Sequence, residues 1–459
     1  MERKIWGGVF KEDVESSLRK FLDSFSFDSR LAPEVFDITF VHSVLLADEG
    51  FIPKDKLKEI FLSREKVIRA VLSSKPDDFE DVHSAVEYFI AQECGEDVGT
   101  KVRAGRSRND EVITAVYLWV MRESQKILDE MKNVFYSMLF SAQKYQDVII
   151  PFMTHTRYAQ PILFSHLILS YIAGFLRCVE RFRDVLLRFN VCHMGSGAGA
   201  GTSIISDVKK AAFLLGFSRV SDNSLDSTGR RDTIYELIFV FSTFALLFSK
   251  IAEDLIFLSA EDIGFVEIGD KVCTGSSMMP QKKNPDTLEL IRGKSSKFLG
   301  YLASFFTLEK GVVSGYSKDF QEDKKILFEA FDEFYSILFA VYQVFKNISA
   351  KKRELPYHIL ATDVAEKIFR EKKMSYREIH KFIGEHIKIQ QKLPESLTFE
   401  ESLKMKRTPQ STNPDFVREK MRVLENRWRL LKGNITHIVS RFSYYNFEKR
   451  VMNEIGSLK

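Results

Sequence analysis

Residues 275–286 read Gly-Ser-Ser-Met-Met-Pro-Gln-Lys-Lys-Asn-Pro-Asp, a polar, cation-bearing segment set between two long apolar stretches. Gly275, Ser276 and Ser277 make a flexible loop rich in hydroxyl donors, and Pro280 and Pro285 restrict how it folds. Lys282, Lys283 and Asn284 place two ammonium groups and an amide beside those hydroxyls. Packing gives no reason for such a segment, so it points to chemistry on an anionic substrate. Asn284-Pro285 also reads as an N-cap followed by proline at the first helical position, which aims a helix N-terminus at the same negative charge.

Other loops share this polar character. Gly105-Arg106-Ser107-Arg108-Asn109-Asp110 precedes a long apolar stretch. Capping explains its Ser, Asn and Asp as well as catalysis does, yet open N–H groups beside two arginines also make a carboxylate cradle. The segment 151–161 carries Thr154-His155 between Pro151 and Pro161. A lone loop histidine is more often a surface or capping residue than a catalyst. The charge run of 315–324, with Tyr316, Gln321 and Lys324, reads on its own as a solvated helix start. The glycine-rich turn 194–202 lacks the Gly-Lys-Ser/Thr of a P-loop, and close backbone packing is its simpler reading.

The elements that must position these loops show in the helix breakers. No Gly or Pro falls between Glu111 and Ile150, Arg230 and Ile263, or Ser317 and Leu355. The span 162–194 holds only Gly174, and 286–310 only Gly293 and Gly300. These five spans predict long helices, most well above the usual ~11–12 residues. Leu237, Val240, Phe241, Phe244, Leu247, Phe248 and Ile251 follow helical spacing, while Ile238, Phe239, Ala245 and Leu246 fill the other faces. A helix apolar all round must be buried on all sides. One five-helix bundle hardly achieves that, so association between subunits is expected. The fold class is all-α in three parts: an N-terminal helical domain over 1–104, a central long-helix bundle domain over 105–355, and a more charged C-terminal helical domain over 356–459.

Composition excludes other classes. A net charge of +4 over 459 residues gives no argument for nucleic acid or membrane as partner. The most apolar run, Leu237 to Phe248, is about 12 residues and reads as too short to span a bilayer. Cys94, Cys178, Cys192 and Cys273 show no paired spacing, and the nine histidines form no HExxH. That predicts reduced thiols in a cytoplasmic protein and no metal site. Residues 1–8 contain no apolar signal core.

Residues 275–285 resemble the signature Gly-Ser-Ser-x-Met-Pro-x-Lys-x-Asn-Pro of the fumarase/aspartase superfamily, and Gln281-Lys282-Lys283-Asn284 resembles its argininosuccinate lyase branch. Ser107–Asp110 is similar to the Ser-Arg-Asn-Asp motif of that family. Thr154-His155 and Ala159-Gln160-Pro161 resemble its Thr-His-Leu-Gln-Arg-Ala-Gln-Pro, with departures at Thr156, Arg157 and Tyr158. Residues 195–202, Asn223–Asp226 and Arg231-Asp232 are also family-like, although Arg230 stands where an acid is usual. Tyr316–Lys324 resembles Tyr-Asn-Lys-Asp-Leu-Gln-Glu-Asp-Lys. Ser24, Asp28, Asp81 and His83 fall in further matching stretches, and Trp6-Gly7-Gly8 resembles the family's opening, with Val9 in place of an arginine. The likeness thins from about Ile387.

The resemblance implies β-elimination of argininosuccinate to L-arginine and fumarate, the final step of arginine biosynthesis, without cofactor or metal. It makes Ser276 the base, Lys282 the stabiliser of the dianionic intermediate, and His155 the proton donor or relay, paired with Glu289. Substrate would be held by Ser24, Asp28, Ser107, Arg108, Asn109, Thr154, Asn284, Tyr316, Gln321 and Lys324. It implies a homotetramer whose long helices form one tetrameric helical core and whose sites are shared between chains. Two alternatives stand beside it: a related lyase of adenylosuccinate or aspartate type, and a non-catalytic structural homologue.

Overall fold

The computed structural model describes residues 14–372 and 374–456, so the Trp6-Gly7-Gly8 opening lies outside the described residues. Helices α1 (Ala32–Asp48) and α2 (Val82–Cys94) precede the long elements. These are α3 (Arg108–Lys144), α4 (Phe164–Phe189), α5 (Asp232–Ser259), the pair α6 (Asp286–Ser295) and α7 (Lys297–Glu309), and α8 (Asp323–Lys346). The pair occupies the predicted fourth long helix. Its interruption is a single residue, Ser296, whose backbone stays helical while its N–H turns to the Gly293 carbonyl at 3.2 Å. That is the tighter i→i+3 bond of a 3₁₀ turn.

The helices are shorter than the breaker-free spans. After Lys144 the chain runs through Val148-Ile149-Ile150 into strand β1 (Ile149–Thr154), which pairs antiparallel with β2 (Arg157–Leu163). β-Branched residues leave a helix for a strand without any Gly or Pro. The all-α class holds, since the strands form only four two-stranded pairs among the described residues.

In the bundle, α3 packs on α4 and α8, and α5 packs on α4, α6, α7 and α8. Aromatic rings fill the space between them. Phe241 of α5 stacks on Phe334 of α8 at 4.1 Å, and Trp119 of α3 meets Phe328 and Phe331 edge-on, each at 4.7 Å. Truncating a ring such as Phe241 to alanine would cost about 3–5 kcal/mol. A further long helix, α9 (Pro414–Ser440), lies on α3 and α4, with Trp428 stacked on Phe135 at 4.8 Å. The main core therefore runs from Phe25 to Val451, whereas Leu360, Val364, Ile368, Ile379, Ile383 and Leu397 form a smaller core of their own.

One sequence expectation changes. Helix α5 spans 28 residues and is long and apolar enough to cross a membrane, so the estimate from Leu237 to Phe248 was too short. It lies inside the bundle, and a buried core helix meets the same criteria. Its own chain leaves part of the helix open, as the sequence pattern led one to expect of a single bundle: Phe239 is 47% exposed and Leu246 58%.

Candidate active site

A buried polar cluster forms where α2, α3 and α8 begin. Ser24 Oγ donates to Asp28 Oδ2 at 2.5 Å, and Asp28 Oδ1 accepts the Val82 N–H at 3.0 Å. Asp81 caps α2 by accepting the Ser84 N–H at 2.7 Å and also accepts Arg108 Nε at 3.0 Å. Arg108 Nη1 donates to Glu87 at 2.8 Å and to Glu111 at 3.0 Å, and Arg106 Nε lies 2.7 Å from Glu111. Arg108 is thus held by three carboxylates of its own chain.

Burial, with the Asp81 charge adding to it, raises the Asp28 carboxyl to about 7, against the opposing pull of Ser24, Lys324 and the Val82 N–H. Burial also opposes ionisation of Glu111, but Arg106 and Arg108 outweigh it and hold that group at about 2. For Asp81 the Arg108 and His83 charges likewise overcome burial and keep it well below the carboxylate range. Burial lowers His83 to about 4 despite the carboxylates around it.

The loop before α3 is a capping box. Ser107 Oγ accepts the Asn109 N–H at 3.3 Å, and the Ser107 N–H donates to Asp110 Oδ1 at 3.1 Å. Asp110 Oδ2 also accepts the Gly197 N–H at 2.8 Å, and Asn109 Nδ2 donates to the Ala198 carbonyl at 3.2 Å. The glycine-rich turn is thereby fastened to the start of α3. Gly197 has φ +55°, and a Cβ there would sit 2.6 Å from the Gly201 carbonyl, so the turn's composition is a backbone requirement.

The segment before α8 closes the cluster. Gln321 Nε2 donates to the Leu22 carbonyl at 3.1 Å, and Lys324 Nζ lies 3.3 Å from Asp323 Oδ1. Burial raises the Tyr316 hydroxyl to about 12, and the charges of Asp323, Asp81 and Asp28 act in the same direction.

The other candidates lie on exposed elements. His155 and Thr156 are the two central residues of the hairpin turn, with φ +52° and +59°, and Thr154 pairs with Arg157. Positive φ at both positions is the type I′ geometry that fits a two-residue hairpin. The base of the hairpin is braced by Tyr357–Leu360 and Phe399–Met405 and by Thr412 Oγ1, which accepts the Leu163 N–H at 2.8 Å. The 275–286 loop forms a second, smaller hairpin, β3 (Thr274–Gly275) with β4 (Lys283–Asn284). Asn284 is therefore a strand residue. The helix starts one position later than expected, with Pro285 at the N-cap, and Thr274 Oγ1 donates to the Asp286 carboxylate. Ser276 Oγ accepts the N–H groups of Met279 at 3.1 Å and Met278 at 3.3 Å. Lys283 pairs with Asp270 at 2.6 Å, whereas Lys282 makes no ion pair among the described residues.

Residues 8–300 match the family model described as Lyase. The argininosuccinate lyase of a Sulfurihydrogenibium species is 35% identical, covering 87% of this chain and 89% of its own. That of Carboxydothermus hydrogenoformans is 36% identical, covering 83% and 85%. The chain belongs to the argininosuccinate lyase family. It is a carbon–nitrogen lyase. Two solved structures share the fold: an EDDS lyase in complex with formate, at TM-score 0.81, 18% identity and 96% coverage of both chains, and the class II fumarase of Schistosoma mansoni, at TM-score 0.68, 15% identity and coverage of 82% and 86%.

Of the residues singled out by resemblance to argininosuccinate lyases, one chain brings together Ser24, Asp28, Ser107, Arg108, Asn109, Tyr316, Gln321 and Lys324. Thr154, His155, Ser276, Lys282, Asn284 and Glu289 lie outside that cluster, and no hydrogen bond or ion pair joins His155 to Glu289 within the chain. The departures from the family pattern sit at the surface: Thr156, Arg157 and Tyr158 are exposed on the hairpin. Arg230 bonds Asp232 at 2.9 Å and Thr233 at 3.1 Å. Sequence reasoning missed Glu87 and Glu111, and gave no role to Asp110, Arg231 and Asp323 although they stand in the family-like stretches. Glu87 and Glu111 carry no sequence signal that separates them from ordinary helix charges.

Proposed function

We propose that this chain cleaves argininosuccinate to L-arginine and fumarate in the cytoplasm, as a homotetramer whose sites are shared between chains. The observation that carries the reaction is the run of argininosuccinate lyase relatives over most of the chain. The loop that keeps Ser276, Lys282 and Asn284 together supports it.

In the elimination a proton leaves the carbon next to a carboxylate, and the C–N bond on the adjacent carbon breaks. The electron pair left by the proton becomes the new C=C bond. The departing guanidinium nitrogen takes the pair of the broken bond and a proton. The intermediate stage piles negative charge onto a carboxylate that already carries one, so a fixed cation there has the largest effect. Lys282 supplies it and Asn284 holds the carboxylate. Ser276 takes the proton. Its Oγ already accepts two backbone N–H bonds, which lower the cost of an alkoxide. His155 returns a proton to the leaving nitrogen, oriented by Glu289. Gln321, Tyr316 and the Asp28 carboxylate meet the arginine-like end, and Lys324 a carboxylate of substrate.

In this reading residues 1–104 and 105–355 build the buried half of the site, and 356–459 braces the His155 hairpin. The apolar residues left open on the bundle, among them Phe239, Leu246, Leu290, Leu299, Phe306 and Phe339, support burial between copies. The four cysteines are free thiols, which supports a reducing compartment. Ultraviolet absorbance of fumarate tests the reaction, with argininosuccinate, adenylosuccinate and aspartate offered in parallel. Fumarate from argininosuccinate alone is expected. None from any of them, with folded protein of four-chain mass by sedimentation, would refute the catalytic reading. A monomeric mass would refute the shared site.

A further inference from the structure

Lys324 is a buried ammonium group, 3% exposed, on a side chain with four rotatable bonds. Nothing in its own flexibility keeps it pointed at substrate, and the charge of Asp28 also pulls on it. Two oxygens hold it: Asp323 Oδ1 at 3.3 Å and the Phe320 carbonyl at 3.5 Å. The other oxygen of Asp323, Oδ2, accepts Arg231 Nε. Arg231 in turn lies 4.5 Å over the Phe320 ring and donates through Nη1 to the Arg230 carbonyl at 2.9 Å. Arg231 and Asp323 are each 1% exposed. Arg231 stands at the N-cap of α5 and Asp323 opens α8, so the pair also fastens the starts of two long helices.

We infer that Asp323, through its bond to Arg231, is a positioning residue that fixes the direction of the Lys324 ammonium toward substrate. The inference rests on the reading that Lys324 contacts substrate. The physical logic lies in the sharing. A carboxylate serving Lys324 alone would cancel its charge. One already neutralised by Arg231 gives direction, while the Arg231–Asp323–Lys324 group keeps one net positive charge for a substrate carboxylate.

A double-mutant cycle tests this, read as KM and kcat for argininosuccinate. Asp323→Asn and Lys324→Met are each expected to raise KM by roughly tenfold or more, with a smaller change in kcat. The double variant should be no worse than Lys324→Met alone, because Asp323 acts through that ammonium. Effects that multiply independently would overturn the inference. Asp323→Asn leaves Arg231 buried without its counter-charge and so threatens the fold. Arg231→Met with Asp323→Leu removes both charges, a swap that buried pairs often tolerate. That variant should melt close to wild type and still show the raised KM. Recovery of KM together with melting temperature would mean the pair is only a structural brace. A wild-type protein that makes no fumarate in the same assay would instead refute the activity on which the inference rests.

Discussion

The cluster around Asp28 and Arg108 and the hairpin around Ser276 bear opposite relations to solvent. In the cluster, Arg106 and Arg108 are bonded to Asp81, Glu87 and Glu111, and Lys324 to Asp323, all within one chain and largely shielded from water. In the hairpin Lys282 is open to water, as is Glu289 on the following helix α6, and Ser276 is held only by its own loop. A buried network is preorganised, because its groups are fixed before substrate arrives. An exposed loop has no such order, and water competes for each of its hydrogen bonds. On the proposed reading, most of the substrate-binding geometry is built by the single chain, whereas the proton-transfer groups need closure, or a second copy, to become dry.

The sharpest way to break this comparison is Ser276→Ala. Turnover should fall roughly 10²–10⁴-fold, the usual span for losing a general base. The melting temperature should not move, because Ser276 braces only its own hairpin. Near-normal turnover would remove Ser276 as the base. A lost fold would show the loop to be as structural as the cluster.

Arg122 tests the opposite property in the buried half of the molecule. It donates to Glu34 at 2.9 Å, to Asp37 at 2.6 Å and to the Phe442 carbonyl at 3.0 Å, tying α1, α3 and the end of the chain together. Arg122→Met should cost about 3–5 kcal/mol in urea unfolding, because Asp37 and Glu34 lose their shared counter-charge. The kcat of the molecules that remain folded should be unchanged. A stable variant would mean that the buried charges do not carry the fold.

Lys282→Ala sharpens the exposed half. It should lower kcat by at least about 10²-fold, as does loss of one preorganised oxyanion donor. A rise in KM with kcat intact would make Lys282 a binding group, and the exposed loop would then resemble the cluster in role. Mixing Ser276→Ala chains with Asp28→Asn chains adds a further check. Activity should reappear in the mixture if the two regions of one site come from different chains, and stay absent if they come from the same one.

Legibility in the sequence follows the same divide. The long helices were visible because Gly and Pro are missing from them, yet the spans overran into β1, since Val148-Ile149-Ile150 leave a helix without a breaker. The hairpin turn was hidden because His155-Thr156 replaces the Asn-Gly that such turns favour. The signature loop was legible, since its residue types have no packing role. Its backbone pairing was not, because two-residue strands have no periodicity to read. The buried network was the least legible part. Glu87, Glu111 and Asp323 look like ordinary helix charges until the fold shows them without water.

The smallest expected effect is a pH dependence, and it probes whether the cluster is as dry as its geometry implies. Asp28 is raised to about 7 in the folded chain, whereas an unfolded carboxyl ionises near 4. Between those values the folded state holds a proton that the unfolded state has released. Stability therefore falls as pH rises from about 4 to about 7, then levels off. Asparagine preserves the local bonds: its oxygen accepts the Val82 N–H, and its amide donates to Ser24 Oγ, whose hydroxyl rotates to suit. It does not titrate. His83, Asp110 and Tyr316 titrate in both proteins and largely cancel in the difference. Relative to Asp28→Asn, wild type should lose about 1–2 kcal/mol between pH 5.5 and 7. Parallel unfolding curves across that range would mean that Asp28 is already ionised at low pH. The facing charges of Lys324 and Asp81 would then have to be arranged to favour the carboxylate, and the cluster would bind the guanidinium end of substrate by charge at every physiological pH.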